Sequence, residues 1–149
     1  MKYYNPLLIL ILLFVSHTLG AEQFNDIPRP EIIAKQVQTE NGSAIQMMVT
    51  LKRDWHITSH NPTDEFAFGA EVEFKNPQFQ KGKVIWPEPI VKFIESIGVK
   101  NSFYEGSFEI LIPLKESPDK VQGQEVVLHY QSCTQQLCLA PDFISTIIW

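Results

Sequence analysis

Basic clusters are missing from this chain of 149 residues: its 12 Lys and Arg are scattered among 17 Asp and Glu, for a net charge of −5. A dispersed, net-acidic surface offers no electrostatic grip on nucleic acid or on anionic membranes, so both are excluded as partners. Long apolar runs are scarce as well. The one that stands out, Leu7–Val15, is 9 residues long, whereas a bilayer-spanning helix needs about 20. Lys2 precedes it, and the small residues Thr18 and Gly20 stand three and one positions before Ala21. That is the layout of a secretory signal peptide cut after Gly20. No Cys follows the run, which argues against a lipid-anchored product. Residues 1–20 are therefore expected to be a signal peptide and residues 21–149 one exported, soluble domain. Loss of Lys2 takes the net charge to −6, and the remaining 129 residues are enough to bury a core unaided. Export places the chain in an oxidising compartment, where a Cys pair can form a disulfide.

Helical periodicity is also lacking: no window beyond the signal region sustains a 3.6-residue apolar repeat over three turns. Internal repeats, low-complexity tracts and charge blocks are absent too. What is present is a series of short runs, rich in β-branched and aromatic residues, punctuated by Pro, Gly and Asn. The expected strands are Glu31–Thr39, Ser43–Lys52, Trp55–Ser59, Phe68–Phe74, Lys83–Trp86, Ile90–Phe93, Phe108–Leu114, Glu125–Ser132 and Phe143–Trp149. Alternation is plainest in Ala44–Leu51 and Glu125–Tyr130. Asn41-Gly42 is the dipeptide of a type I′ hairpin turn. The stretch Glu88–Ile97 could be read as a helix, but Pro87 and Pro89 favour a strand or irregular chain. Short strands at this spacing predict an immunoglobulin-like antiparallel β-sandwich.

Cysteine is the rarest chemistry-bearing residue. Cys133 and Cys138 are the only two, separated by four residues near the C-terminus. Three readings compete: a structural staple, part of a metal site, or a redox pair. If Glu125–Ser132 and Phe143–Trp149 are antiparallel neighbours, the two Cys face each other across a short loop, within disulfide reach. Closing so small a loop is worth only about 2 kcal/mol, a poor reason for a domain of this size to keep it. A metal needs more ligands. His129 lies four residues before Cys133, and Met47 and Met48 could add soft sulfur for copper. His56 and His60 are four apart, which on a strand separates them by about 13 Å. The set is incomplete by zinc spacing rules, so no metal and no other cofactor is expected. His56 and His60 read as partly exposed structural residues, and Met47 and Met48 as divided between core and surface. The redox reading fits best, although C-x4-C is a weaker motif than C-x-x-C. No Lys or Arg follows Lys120, so nothing nearby in sequence would strongly activate either thiolate.

The segment YQSCTQQLCLAPD resembles the cysteine-bearing segment of the N-terminal periplasmic domain of the thiol:disulfide interchange protein DsbD. DWHITSHNP is similar to that family's Gly-Trp-His start followed by Asn-Pro, VIWPEPIVKF to its Trp-Pro-x-Pro stretch, and SFYEGSFEILIPL to its aromatic cap loop and following strand. The resemblance runs from about Met48 to the end. It implies an immunoglobulin-like sandwich in the periplasm that acts as a thiol:disulfide oxidoreductase module, passing electrons to oxidised periplasmic thiol proteins. Cys133 and Cys138 become the redox pair, with Cys138 forming the mixed disulfide with partners. Phe103 and Tyr104 become cap-loop aromatics that cover the disulfide. The family's membrane and thioredoxin-like domains have no counterpart in this sequence, so a thioredoxin-like or membrane-embedded electron donor is expected on a separate chain, with the domain itself monomeric. Asn101 and Ser102 replace an acidic pair before the cap aromatics, the inter-Cys loop is one residue shorter, and a tyrosine expected near Thr58 is missing. The contrasting reading is a non-catalytic sandwich that binds a partner and holds an inert disulfide.

Overall fold

A computed structural model of the protein describes residues 28–95, 98–115 and 120–149. The expected signal peptide and the expected new N-terminus at Ala21 lie outside the described residues. In chain order the strands are β1 (Glu31–Thr39), β2 (Gly42–Thr50), β3 (His56–Thr58), β4 (Glu71–Phe74) and β5 (Ile90–Ile94), followed by β6 (Val99–Glu105), β7 (Ser107–Pro113), β8 (Glu125–Tyr130), β9 (Ser132–Cys133) and β10 (Asp142–Ile147). They pair antiparallel into sheets of order β1-β2-β7, β10-β8-β4 and β5-β6-β3-β9. The end of β10 runs beside β1, where the Gln36 N–H donates to the Trp149 carbonyl at 3.0 Å. The architecture is the expected all-β, immunoglobulin-like sandwich.

Period-two patterning explains the core. In β2 and the residue after it, Ile45, Met47, Val49 and Leu51 point inward, while Gln46, Met48 and Thr50 point out. They meet Ile110 and Ile112 of β7, Val126 and Leu128 of β8, and Val72 of β4. Each such aliphatic side chain contributes about 1.5–3 kcal/mol by leaving water. Met47 is fully buried and Met48 is 37% exposed, the division expected from alternation.

Several local expectations need correction. The β1–β2 hairpin forms, but its turn is not type I′. Thr39 pairs with Gly42, and neither turn residue between them, Glu40 or Asn41, has the positive φ that type I′ demands. The left-handed freedom is used one position later, at Gly42 (φ 113°). Trp55–Ser59 contracts to His56–Thr58, because Asp54 turns the chain with φ 68° just before it. Phe68–Phe74 pairs only from Glu71 onward. Lys83–Trp86 forms no strand. Ile85 alone bridges to Leu111, donating at 2.8 Å and accepting at 2.9 Å, before Pro87 ends the contact. The Glu88–Ile97 stretch is strand rather than helix over Ile90–Ile94.

The largest correction is β6. The segment expected as a loop around Phe103 and Tyr104 is a seven-residue strand, bounded by Gly98 and Gly106 at φ 69° and 66°. Asn101 through Tyr104 are all buried, so both faces are covered and no polar–apolar alternation betrays the strand. Strands β3 and β6 thereby acquire two distinct faces. Ile57 and Tyr104 join the main core, while Phe103 turns to the opposite side.

Candidate redox site

On that opposite side a second, smaller cluster forms. Phe103, Ile94 and Cys133 are its buried members, with Ile90 and Cys138 packed against them. Cys133 ends β9, whose partner in the sheet is β3, and the register sets Cys133 directly opposite His56. Beyond β9 the chain turns through Thr134–Leu137 and returns. The Thr134 N–H donates to the Leu137 carbonyl at 2.8 Å, and Thr134 Oγ1 accepts from the N–H groups of Gln136 and Leu137, each at 3.2 Å. The Leu139 N–H then reaches the Ser132 carbonyl at 2.8 Å. This tight turn brings the two Cys into a cross-strand bridge, with Cα atoms 4.0 Å apart and sulfurs bonded at 2.05 Å.

The two sulfurs differ in access. Cys133 is fully buried, whereas Cys138 is only half-buried and follows Leu137, which is 47% exposed. Pro141 has no N–H to donate, and sheet pairing resumes only at Asp142. The arm from Leu137 to Pro141 is held from one side, where Gln131 Nε2 donates to the Leu139 carbonyl at 2.9 Å. Gln131 Oε1 simultaneously accepts the Phe68 N–H at 3.1 Å, tying this arm to the long loop after β3. Asn101, one of the two residues replacing the acidic pair, has a structural task in the same loop. Its buried side-chain oxygen accepts the N–H groups of Thr63 and Asp64 at 2.9 and 3.2 Å. Ser102 meets Ser59 hydroxyl to hydroxyl at 2.7 Å.

Phe103 and Tyr104, expected together on a cap loop, sit on a strand and face opposite ways. Phe103 alone touches the disulfide cluster. Tyr104 stacks on Trp86 with ring centroids 5.8 Å apart and shares a hydrogen bond with His60 Nδ1 at 2.5 Å. Burial pushes the Tyr104 hydroxyl pKa upward.

His56, read from sequence as partly exposed, is 2% exposed. Its ring meets Phe103 edge-on at a centroid distance of 4.4 Å. Burial first, then the charge of Lys92, pushes its pKa down to about 4, against an opposing pull from Glu105. Lys92 and Glu105 pair with each other on this face. The other side chains with metal-binding chemistry lie apart. His129 pairs with Glu73 at 2.9 Å, and Met47 is in the main core. Among the described residues no three His, Cys, Asp or Glu side chains gather closely enough to hold a metal ion. A partly buried cysteine bonded to a fully buried one, packed with an aromatic ring, is an arrangement suited to exchange with an incoming thiol or disulfide.

Comparison with known proteins gives a consistent result. No curated protein sequence matches significantly. The fold is similar to the N-terminal periplasmic domain of ScsB from Proteus mirabilis, with a TM-score of 0.55 and 20% identity. That match covers 76% of this chain but 42% of the ScsB chain, so the present chain spans less than half of it. It is also similar to the DsbD N-terminal domain of Neisseria meningitidis in its reduced form, with a TM-score of 0.53 and 16% identity over 83% of this chain and 90% of that one. At sequence level, residues 25–145 match the family described as thiol:disulfide interchange protein DsbD, N-terminal, and the chain belongs to that family of thiol:disulfide interchange domains.

Proposed function

We propose that the protein is an exported module that relays reducing equivalents through Cys133 and Cys138 to oxidised periplasmic thiol proteins. Residues 1–20 direct export and are removed, leaving residues 21–149 in the periplasm. Among the described residues no helix is long and apolar enough to cross a membrane. The electron donor is a thioredoxin-like or membrane-embedded protein.

The observation that carries this reading is the unequal exposure of a bonded cysteine pair, with Cys138 half-buried on the arm that leads to Pro141 and Cys133 fully buried. The reduced pair works in two steps. The Cys138 thiolate attacks one sulfur of the acceptor's disulfide, forming a mixed disulfide and releasing one acceptor thiol. Cys133 then attacks Cys138 Sγ, closing the internal disulfide and releasing the second. The acceptor gains two electrons and the cysteine pair loses two. Phe103 covers the sulfurs between encounters, which slows adventitious exchange by limiting access.

Single variants test the assignment. Cys133→Ser, mixed with an oxidised thioredoxin-like protein, accumulates a covalent complex through Cys138, while Cys138→Ser gives little. The reverse pattern exchanges the two roles. No complex from either variant supports the inert-disulfide reading instead.

A further inference from the structure

His56 is the one buried side-chain polar group, among the described residues, whose nitrogen has no hydrogen-bond partner: its Nε2 is sealed from solvent and unpaired. A buried polar atom left unpaired costs about 1–3 kcal/mol, so its persistence next to a reactive bond calls for a reason. Its position supplies one. Directly opposed residues on antiparallel strands carry their side chains on the same face, with Cβ atoms about 4.5–5.5 Å apart. The register opposes His56 to Cys133, and both lie against Phe103.

In the oxidised protein Cys133 Sγ is bonded to Cys138 and has no proton to offer. Reduction gives that sulfur an S–H donor beside an unpaired ring nitrogen, which is an acceptor in the Nδ1–H tautomer. We propose that His56 Nε2 accepts the Cys133 thiol proton and is the general base that releases Cys133 to resolve the mixed disulfide, an inference that rests on the exchange reading above.

In this step the Cys133 Sγ–H bond breaks and its proton passes to His56 Nε2. The sulfur electron pair forms the bond to Cys138 Sγ, and the bond from Cys138 to the partner sulfur breaks. The partner leaves as a thiolate and takes up the proton from the imidazolium, directly or through solvent.

The charged groups facing His56 leave this role to the imidazole. Glu105 of β6 stands opposite it but is paired with Lys92 of β5, and β9 presents only Cys133. Burial keeps the imidazole neutral at pH 7, its pKa being about 4, so its lone pair is free to accept, and the same burial makes it a weaker base than an exposed histidine. The other bases nearest to Cys133 in sequence are engaged elsewhere: His129 by Glu73 at 2.9 Å, Glu125 by Lys75 at 2.6 Å and Ser145 at 2.5 Å, and Asp142 by Arg29 and Tyr130, each at 3.3 Å.

Rapid mixing of the reduced chain with dithiobis(nitrobenzoate) separates the steps, because each releases one coloured aromatic thiolate. The first release, attack by Cys138, depends on reagent concentration. The second, closure by Cys133, does not. His56→Leu and His56→Gln are expected to slow the second release about tenfold at pH 7, below the scale of a base matched to that pH because burial weakens this one, and to leave the first within about twofold. Gln keeps an acceptor but cannot carry the proton, so its failure to rescue separates proton transfer from positioning. An unchanged second release in both variants overturns the inference while leaving the exchange reading intact. A missing first release in the unsubstituted chain overturns the exchange reading itself. Should neither variant fold, nitrogen NMR of the unsubstituted chain decides: reduction must shift the His56 titration, and an identical titration in both redox states overturns the proposal.

Discussion

Acidification should destabilise this protein in a window set by one buried histidine. His56 ionises near pH 6.5 when exposed and near 4 in the fold, because burial penalises its charged form. Between those values the unfolded chain binds a proton that the folded chain does not, so unfolding becomes easier as pH falls. The contribution is complete above about pH 6.5 and is lost by about pH 4. A tenfold difference in proton affinity is worth about 1.36 kcal/mol, so the loss has an upper bound of about 3.5 kcal/mol. His60, exposed and also pushed downward by partial burial, adds a smaller contribution of the same sign. Glu125 is held below its usual value by hydrogen bonds from Lys75 and Ser145, so its contribution fades only as pH falls below about 4.5. The interval from pH 6.5 to 4.5 therefore belongs to the histidines. Urea unfolding at half-unit steps from pH 7 to 4, for the oxidised chain and for His56→Leu, measures it. Leu fills the site without a titratable group, so the variant should keep only the shallow slope owed to His60 in that interval. Parallel slopes for the two proteins would refute the assignment of the window to His56.

Replacing both cysteines with Ala should cost about 2 kcal/mol and leave the sandwich folded, since the bond closes a loop of about six residues. Circular dichroism showing an unfolded chain at room temperature would favour a structural staple. Phe103→Ala should speed reduction of the disulfide by dithiothreitol, and because the ring is fully buried it should also lower stability by about 3–5 kcal/mol. Phe103→Leu should separate these effects, with a smaller stability loss and an intermediate rate. Equal reduction rates in all three proteins would return Phe103 to a purely structural role. Intact mass of the exported protein should begin at Ala21, and recovery of the full chain in a membrane fraction would contradict cleavage.

Much of the sandwich was legible because one face of most strands is solvated. Gln46, Met48 and Thr50 alternate with Ile45, Met47 and Val49, and that contrast marks β2 and its inward face without any tertiary information. The same logic failed at Val99–Glu105. Asn101 and Ser102 are buried there by the loop they hydrogen-bond, so polar residues occur where the pattern predicts solvent. The two Cys could be paired from loop length and the expected β8–β10 neighbourhood; those strands do pair, but the cysteines meet in a separate bridge beyond the β8–β10 register. His56 could not be placed. Its burial depends on β9 and β6 flanking β3, a non-local arrangement that the three-residue strand does not encode. A buried histidine opposite a cysteine is visible only once strand order is known. The aromatic pair shows the same limit, since two adjacent residues on a strand must face opposite ways and the loop assignment hid that division.

The reduction potential of the Cys133–Cys138 pair tests the central claim most directly. Equilibration of the chain against dithiothreitol redox buffers, with free thiols trapped by alkylation and counted by mass, gives the value. A pair that exchanges with periplasmic partners should lie above about −300 mV, on the oxidising side of the range that structural disulfides occupy. A potential below about −300 mV would identify an inert structural bond and contradict the relay.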